Sequence, residues 1–209
     1  MDSGEQKQLS LYANLMEEVK GRIASIEYAV NGHTGLASPL VREFCYLQLR
    51  LLCELVALSC LVAHGDIASL KAHKIGKAYS ADDILGQMTK LRPNFYPEAV
   101  KQFSDGPNRW HFEAIKPSPL PKDALLSFYG KTHRHLHRGT LKKMLSMDVP
   151  LEMKLDAPEI IQWAQKFQDL LSIHVISIRT GRVMLCKLRD PGNENKVQVV
   201  TAVAFSETE

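Results

Sequence analysis

The chain has 209 residues, of which 45% are hydrophobic and 23% are charged, and this balance is ordinary for a globular protein that buries a core. It therefore excludes a chain that is too polar to fold on its own. Its 26 basic and 23 acidic residues leave a formal charge of +3, which is too small to indicate a polyanion partner from the total alone.

The N-terminus and the cysteines both indicate a cytoplasmic protein. The first ten residues contain no apolar run, so we expect neither a secretory signal nor a transit peptide. Three of the cysteines lie along one apolar segment, at spacings unsuited to disulfide geometry, and no C-x-x-C pair occurs. We therefore expect reduced thiols buried in the core at Cys45, Cys53, Cys60 and Cys186.

The first third of the chain predicts two long helices. Apolar residues at three- and four-residue steps predict an amphipathic helix over residues 5 to 30. A second helix begins at Ser38-Pro39 and runs to His64. It is apolar on nearly all sides, which is typical of a helix at the centre of a bundle. Its longest uncharged run, Leu55 to Ala63, is far shorter than the roughly 20 residues that span a bilayer, so we expect no membrane partner.

Three charged residues interrupt this second helix, namely Glu43, Arg50 and Glu54. Their spacings of seven and four residues place them on one face as a charged stripe. One interpretation is a structural ion-pair network or a strip left open to solvent, because charge is rarely buried without a partner. The other is that the stripe forms the wall of a site and orients a basic or histidine side chain from another helix.

The middle of the chain predicts less regular structure. Short helical patterns occur near Ile67 to Lys77 and Ser80 to Leu91. Seven prolines and glycines then interrupt the sequence as far as Pro121, so we expect an ordered but irregular connection. Its flexible tip is expected at residues 104 to 108.

The last third predicts two helices and a β-hairpin. The helices should span about Lys122 to Arg138 and Ala157 to Leu171. Residues 173 to 178 fit either a continued helix or a short strand. A two-residue apolar period on both sides of Asp190-Pro191-Gly192-Asn193 predicts a β-hairpin at the C-terminus.

The predicted fold class is therefore mainly α, with a helical bundle over residues 1 to 178 and a C-terminal β-hairpin over residues 179 to 209. A two-stranded hairpin is only marginally stable alone. We thus expect it to pack on the bundle, to pair with a third strand, or to join two subunits in a homodimer.

The strongest local bias of the sequence lies between Tyr129 and Lys143, where three histidines and five basic residues occur without an acidic residue. If this segment is helical, its residues form three faces, namely Tyr129, His133 and His137; Lys131 and His135; and Arg134 and Arg138. The segment is the best candidate for a functional site.

Metal binding is one hypothesis for this segment, because histidines four residues apart on a helix can bind zinc together. No glutamate follows His133 as it does in the zinc protease motif, and no third ligand is evident. The neighbouring cations would also repel a dication. We therefore expect no metal site and no cofactor.

Anion or RNA binding is the second hypothesis. Phosphate would be bound by the basic side chains Lys131, Arg134, Arg138, Lys142 and Lys143. His137 or His133 would transfer a proton near neutral pH if the site were catalytic. The alternative is a solvated basic helix face without a specific ligand.

The sequence Leu136-His137-Arg138-Gly139 ends a late helix of the predicted bundle. In this respect residues 5 to 175 resemble the HEPN domains, small helical proteins that include metal-independent ribonucleases and non-catalytic members. The resemblance implies that His137 is the catalytic histidine and that Arg134 or Arg138 replaces the family's arginine. The family motif has four to six residues between the two, whereas Arg134 stands three positions before His137, so the spacing favours a binding member.

We therefore expect a cytoplasmic, prokaryotic or phage-type helical protein that binds RNA or another polyanion through the segment from Lys131 to Lys143. A metal-independent ribonuclease is one alternative. A protein-interaction module that acts through its hairpin by strand addition is the other. The sequence contains no phosphate-binding loop and no nucleophile elbow.

The absence of a third ligand generates a prediction about metal. Treatment with a chelator should leave the melting temperature unchanged, because no folding free energy comes from metal binding. Elemental analysis that finds one tightly bound zinc per chain would contradict it.

Overall fold

The structure is a computed structural model, and it describes residues 3–65, 78–92, 94–104, 106, 110–136, 155–179 and 181–203. Within these ranges the chain forms five α-helices, which are α1 (Ser3–Val30), α2 (Ser38–Ala63), α3 (Ala81–Leu91), α4 (Lys122–Leu136) and α5 (Ala157–Leu171). It also forms five strands, which are β1 (Glu98–Ser104), β2 (Trp110–Ala114), β3 (Ile173–Arg179), β4 (Arg182–Asp190) and β5 (Lys196–Val203). A 3-10 turn, Pro191–Asn193, joins β4 to β5.

Helix α2 lies at the centre of the helical layer and contacts α1, α3, α4 and α5. Its position follows from its composition, because a helix that is apolar on nearly every side must be covered on nearly every side. The periodic patterns predicted all five helices correctly, to within a few residues at the ends. The helical pattern near Ile67 to Lys77 lies outside the described residues.

Helix α2 is also, among the described residues, the one helix long and apolar enough to cross a membrane. In the structure 67% of its most apolar window is buried by other parts of the chain. The four cysteines, three of which lie on this helix, are buried and unbridged, as the sequence predicted.

The strands form one antiparallel sheet in the order β2-β1-β3-β4-β5. The predicted hairpin is present as β4 and β5, but it is not an isolated C-terminal element. The fold class is mainly α, as predicted, and the hairpin pairs with a third strand, β3, which was one of the three expectations. The sequence did not predict that the hairpin belongs to a five-stranded sheet. Strand β3 spans the expected domain boundary between residues 178 and 179 and pairs with β4.

The hairpin of β1 and β2 was missed by the sequence patterns. Its strands pair from Val100 with Ala114 to Ser104 with Trp110, where an irregular connection was expected. None of these prolines falls within the residue ranges of the two strands, so none removes a hydrogen bond between them. The expected flexible tip lies mostly outside the described residues. Residues 173 to 178, which fitted either helix or strand, belong to β3.

The sheet packs on the helices mainly through α1 and α5, and β3 also contacts α2. At the C-terminal hairpin, Glu17 Oε1 accepts the backbone N–H of Val197 at 2.7 Å. Lys20 Nζ donates to the carbonyl of Asn195 at 2.8 Å. The hairpin thus docks on the bundle, and helix α1 supplies the polar contacts at its turn.

A buried pair of polar rings links the two layers. His174 on β3 is fully buried, and its Nε2 lies 2.6 Å from the hydroxyl of Tyr12 on α1. Its Nδ1 lies 2.9 Å from the carbonyl oxygen of Leu171. A neutral ring that donates from Nδ1 and accepts at Nε2 satisfies both contacts. Burial lowers the pKa of His174 to about 4, because the cation would be poorly solvated there.

The lowered pKa of His174 predicts a loss of stability in mild acid. Below about pH 6.5 a histidine in the unfolded chain takes up a proton, whereas folded His174 stays neutral until the pH approaches 4. Stability should therefore be unaffected by this group above about pH 6.5 and should fall by about 3 kcal/mol between there and pH 4. Urea unfolding at several pH values would measure this.

The matched variants are His174→Gln and His111→Gln, the second at an exposed position. His174→Gln should be less stable at pH 7 but should lose less stability on acidification. His111→Gln should keep the slope of the unchanged protein. Equal pH slopes for His174→Gln and the unchanged protein would show that His174 is not the responsible group.

Candidate functional site

The last turns of α4 divide the predicted functional segment into an inward and an outward side. Tyr129 and Thr132 are buried and His135 is half-buried, and these three residues face α2 at steps of three. Upstream, the ring of Phe128 stacks on Trp163 of α5 at 3.8 Å between centroids. This contact and the buried Leu125 fix the rotation of the helix.

The outward side of the same turns carries Lys131, His133 and Arg134, all exposed. The sequence grouped Tyr129 with His133, and Lys131 with His135, at steps of four. The structure separates both pairs, because the contacts of α4 with α2 follow steps of three. His137, Arg138, Lys142 and Lys143 lie outside the described residues, so their predicted roles stay predictions.

A cluster around Arg50 joins α2 to α4. Arg50 Nη2 donates to the hydroxyl of Tyr129 at 2.6 Å, and this hydroxyl donates to Glu54 Oε1 at 2.9 Å. Arg50 Nε lies 3.4 Å from the same carboxylate oxygen. The guanidinium also lies over the Tyr129 ring at 4.0 Å and reaches Thr132 Oγ1 at 3.3 Å. Each polar group of the cluster thus has a partner, as half-buried charges require.

Two of the three residues of the predicted charged stripe belong to this cluster. Arg50 and Glu54 form an ion pair, as the interpretation of a structural network predicted, and both contact a side chain from another helix. Glu43 is half-buried and forms no ion pair within the described ranges. The helical side chain that the stripe orients is a tyrosine, Tyr129, and not a histidine.

A second cluster surrounds His135, where α4, α2 and the start of α5 meet. Its Nδ1 lies 2.6 Å from Arg42 Nη2, and because a guanidinium only donates, Nδ1 must accept. The His135 ring lies parallel to the buried Tyr46 ring at 3.7 Å between centroids. On the α5 side, Arg42 Nε pairs with Asp156 Oδ2 at 3.0 Å and the Tyr46 hydroxyl donates to Glu159 Oε2 at 3.2 Å.

The surroundings of these groups set their charge. Burial first, and then the Arg42 guanidinium, lower the pKa of His135. Burial first, and then the carboxylate of Glu159, raise the pKa of Tyr46. Burial and the Glu54 carboxylate raise the pKa of Tyr129 to about 12. Near neutral pH the site therefore holds an uncharged imidazole with its proton on Nε2 and two protonated phenols.

Sequence reasoning missed Arg42, Tyr46, Asp156 and Glu159. Arg42 and Tyr46 stand four residues apart on α2, which was a usable signal for a shared polar face. Asp156 and Glu159 flank the start of α5, where acidic residues are ordinary helix-start residues and thus drew no attention. The sequence did not show that all four would meet His135.

The described residues contain no group of three histidine, cysteine, aspartate or glutamate side chains that could hold a metal ion. His133 and His135 of the candidate segment lie on opposite sides of the helix, and His137 is not described. The geometry of the described part offers hydrogen bonding, stacking and charge, rather than metal coordination.

Comparison of the chain with protein-family models, with curated proteins and with solved structures found no match. The resemblance to HEPN domains therefore depends on the short sequence motif. The function has to be argued from the geometry of α2, α4 and α5.

The contacts of Tyr129 predict its contribution to stability. Tyr129→Phe removes the hydroxyl that lies between Arg50 and Glu54 and leaves both charges with fewer hydrogen bonds in a half-buried setting. We expect the free energy of unfolding to fall by about 1 to 3 kcal/mol in urea titrations.

Tyr28→Phe is the matched control, because the Tyr28 side chain is 56% exposed. It should change the free energy of unfolding by less than about 0.5 kcal/mol. A Tyr129→Phe variant that is as stable as this control would show that the Arg50 cluster adds nothing to the fold.

Proposed function

We propose that this protein binds RNA through the outward side of α4, at a basic helix end formed by Lys131, His133 and Arg134. The observation that carries the proposal is the division of the helix into two sides. The inward residues contact α2, and the outward residues are exposed on a helix whose rotation is fixed.

Lys131 and Arg134 project from one exposed side of a helix whose rotation is fixed, so both can contact the same polyanion. Lys131 and Arg134 form no ion pair within the described part of the chain. The nearby carboxylates are engaged elsewhere, Asp156 by Arg42 and Glu159 by the hydroxyl of Tyr46. The charges of Lys131 and Arg134 are thus available to a polyanion.

The sequence extends this basic character beyond the described part of α4, through Arg138, Lys142 and Lys143. In the proposal these cations contact further phosphates of the same strand. Catalysis would in addition require His137 or His133 to reach the scissile phosphate. The binding function is preferred, because exposure of the cations supports it directly.

A second function, protein interaction by strand addition, is favoured by one observation. Strand β5 lies at the edge of the sheet, and its Val200 and Val203 are 39% and 59% exposed. An exposed strand edge can pair with another chain. In this alternative the partner is a second copy, and the assembled protein is a homodimer.

Binding of a fluorescent single-stranded RNA, measured by anisotropy at several salt concentrations, tests the RNA proposal. The double variant Lys131→Ala/Arg134→Ala should bind about tenfold more weakly at low salt. The slope of log K against log salt should become shallower by about 1.4, because two phosphate contacts of a single strand are lost.

The control is Lys101→Ala/Arg189→Ala, which removes the same charge from two exposed positions on the sheet. It should bind as the unchanged protein does. Equal loss in both double variants would mean that the protein attracts RNA through its total charge alone. Absence of RNA binding at low salt, together with a dimer in light scattering, would favour the strand-addition function.

A further inference from the structure

One face of helix α2 carries a regular row of side chains that the folded chain does not bury. The row has the alternating four- and three-residue spacing of a heptad repeat and runs from Leu40 to Leu61. No member of the row is buried, whereas most of the residues between its members are. We call it the α2 seam, and its members are Leu40, Phe44, Leu47, Leu51, Glu54, Leu58 and Leu61.

The first half of the α2 seam is entirely apolar and is open to solvent at two places. Leu40 and Leu47 are 51% and 42% exposed, and Phe44 and Leu51 are half-buried. A single exposed leucine needs no explanation, but these four residues follow one another along one face of the helix. Heptad spacing allows one helix to pack along another. The row therefore has the form of a helix-packing surface that the described part of the chain covers only in part.

A second copy of α2 matches this surface when the two helices run antiparallel. If a two-fold axis passes between residues 45 and 46, Leu40 lies opposite Leu51 of the second copy, and Phe44 lies opposite Leu47 of the second copy. The two-fold symmetry repeats both layers. Each layer then joins one exposed and one half-buried apolar residue, so the exposed leucines are covered in both copies.

The same register places opposite charges beside the apolar layers. Glu43 and Arg50 flank the α2 seam on one edge, and in the antiparallel pair Glu43 comes next to Arg50 of the second copy. Glu43 is half-buried and forms no ion pair among the residues that the structure describes. Arg50 has five N–H groups, more than its contacts with Tyr129, Thr132 and Glu54 require. The apolar layers alone define the register, so the match of charges independently favours a second copy as the occupant.

A parallel pair of the same helices fits less well. Each residue of the α2 seam would lie opposite itself, so Glu54 would face Glu54 of the second copy, and like charges in such a contact repel each other. In the antiparallel register Glu54 lies instead near the start of the other helix, where a carboxylate is favourable.

We propose that the protein forms a homodimer in which the α2 seams of two copies pack antiparallel. The contact involves neither the outward side of α4 nor the edge of β5. It is therefore independent of the proposed RNA binding and differs from a dimer formed by strand addition.

Sedimentation velocity at several protein concentrations tests the dimer. Leu47→Glu should raise the dissociation constant of the dimer about 100-fold, because the two-fold symmetry places the new charge in the contact twice. Leu47 is exposed in the single chain, so this variant should keep its fold, and circular dichroism checks that it does. The matched control is Ile161→Glu on α5, at a side chain that is 47% exposed, which should dimerise as the unchanged protein does.

Cysteine cross-linking tests the register without weakening the contact. A mixture of Leu40→Cys and Leu51→Cys chains should form disulfide-linked dimers under mild oxidation, because these two positions lie opposite each other. Each variant alone should not, since its two cysteines would be about 16 Å apart along the helix axis. The four native cysteines are buried, so they should not compete.

Four outcomes would overturn the inference. One is a protein that stays monomeric at the highest concentration at which it is soluble. Another is a dimer whose dissociation constant Leu47→Glu leaves unchanged, because the contact would then lie elsewhere, for example at the edge of β5. Equal weakening by Ile161→Glu would show that the effect of Leu47→Glu is unspecific. Cross-linking of either cysteine variant alone, as readily as the mixture, would exclude the antiparallel register.

Discussion

Helix α2 is buried along most of its length and nevertheless carries charged residues. The later helices pack so that these charged residues have polar partners. Arg42, Arg50 and Glu54 are half-buried, and charges in such a setting need partners. Tyr129, Thr132 and His135 of α4, with Asp156 and Glu159 at the start of α5, supply them. The polar residues of one helix thus share their contacts with two others, whose packing the stack of Phe128 on Trp163 also holds.

The same constraint produces the two sides of α4. Since the inward side must satisfy α2, it holds tyrosine, threonine and histidine, whose hydroxyl and ring nitrogens can bond to guanidinium and carboxylate groups. The cations of the segment are left for the outward side.

Local patterns were sufficient for the helices and for the last hairpin, because a period of 3.6 or 2 residues is present in each segment itself. They failed for β1 and β2, where Glu98 to Ala114 contains few alternating residues and depends on pairing with β3. They also failed for the site. The spacing of four residues that linked Tyr129, His133 and His137 is correct for a helix, but only the packed structure shows that Tyr129, Thr132 and His135 face α2.

The order of the strands also bears on how the chain reaches its folded state. Strand β1 lies between β2 and β3, so Glu98 pairs with Val175 although α4 and α5 separate them in the chain. Such a contact closes a long loop. The chain must lose the conformational entropy of this loop before the hydrogen bonds of the strand pair can form. Helices α1 and α2 are consecutive in the chain and pack on each other, whereas the sheet cannot be completed before β3 has been made. During synthesis on a ribosome, the hairpin of β1 and β2 is made before α4 and α5. The edge of β1 that later pairs with β3 is unpaired while these helices are synthesised. Chains with such an unpaired edge are prone to associate with one another.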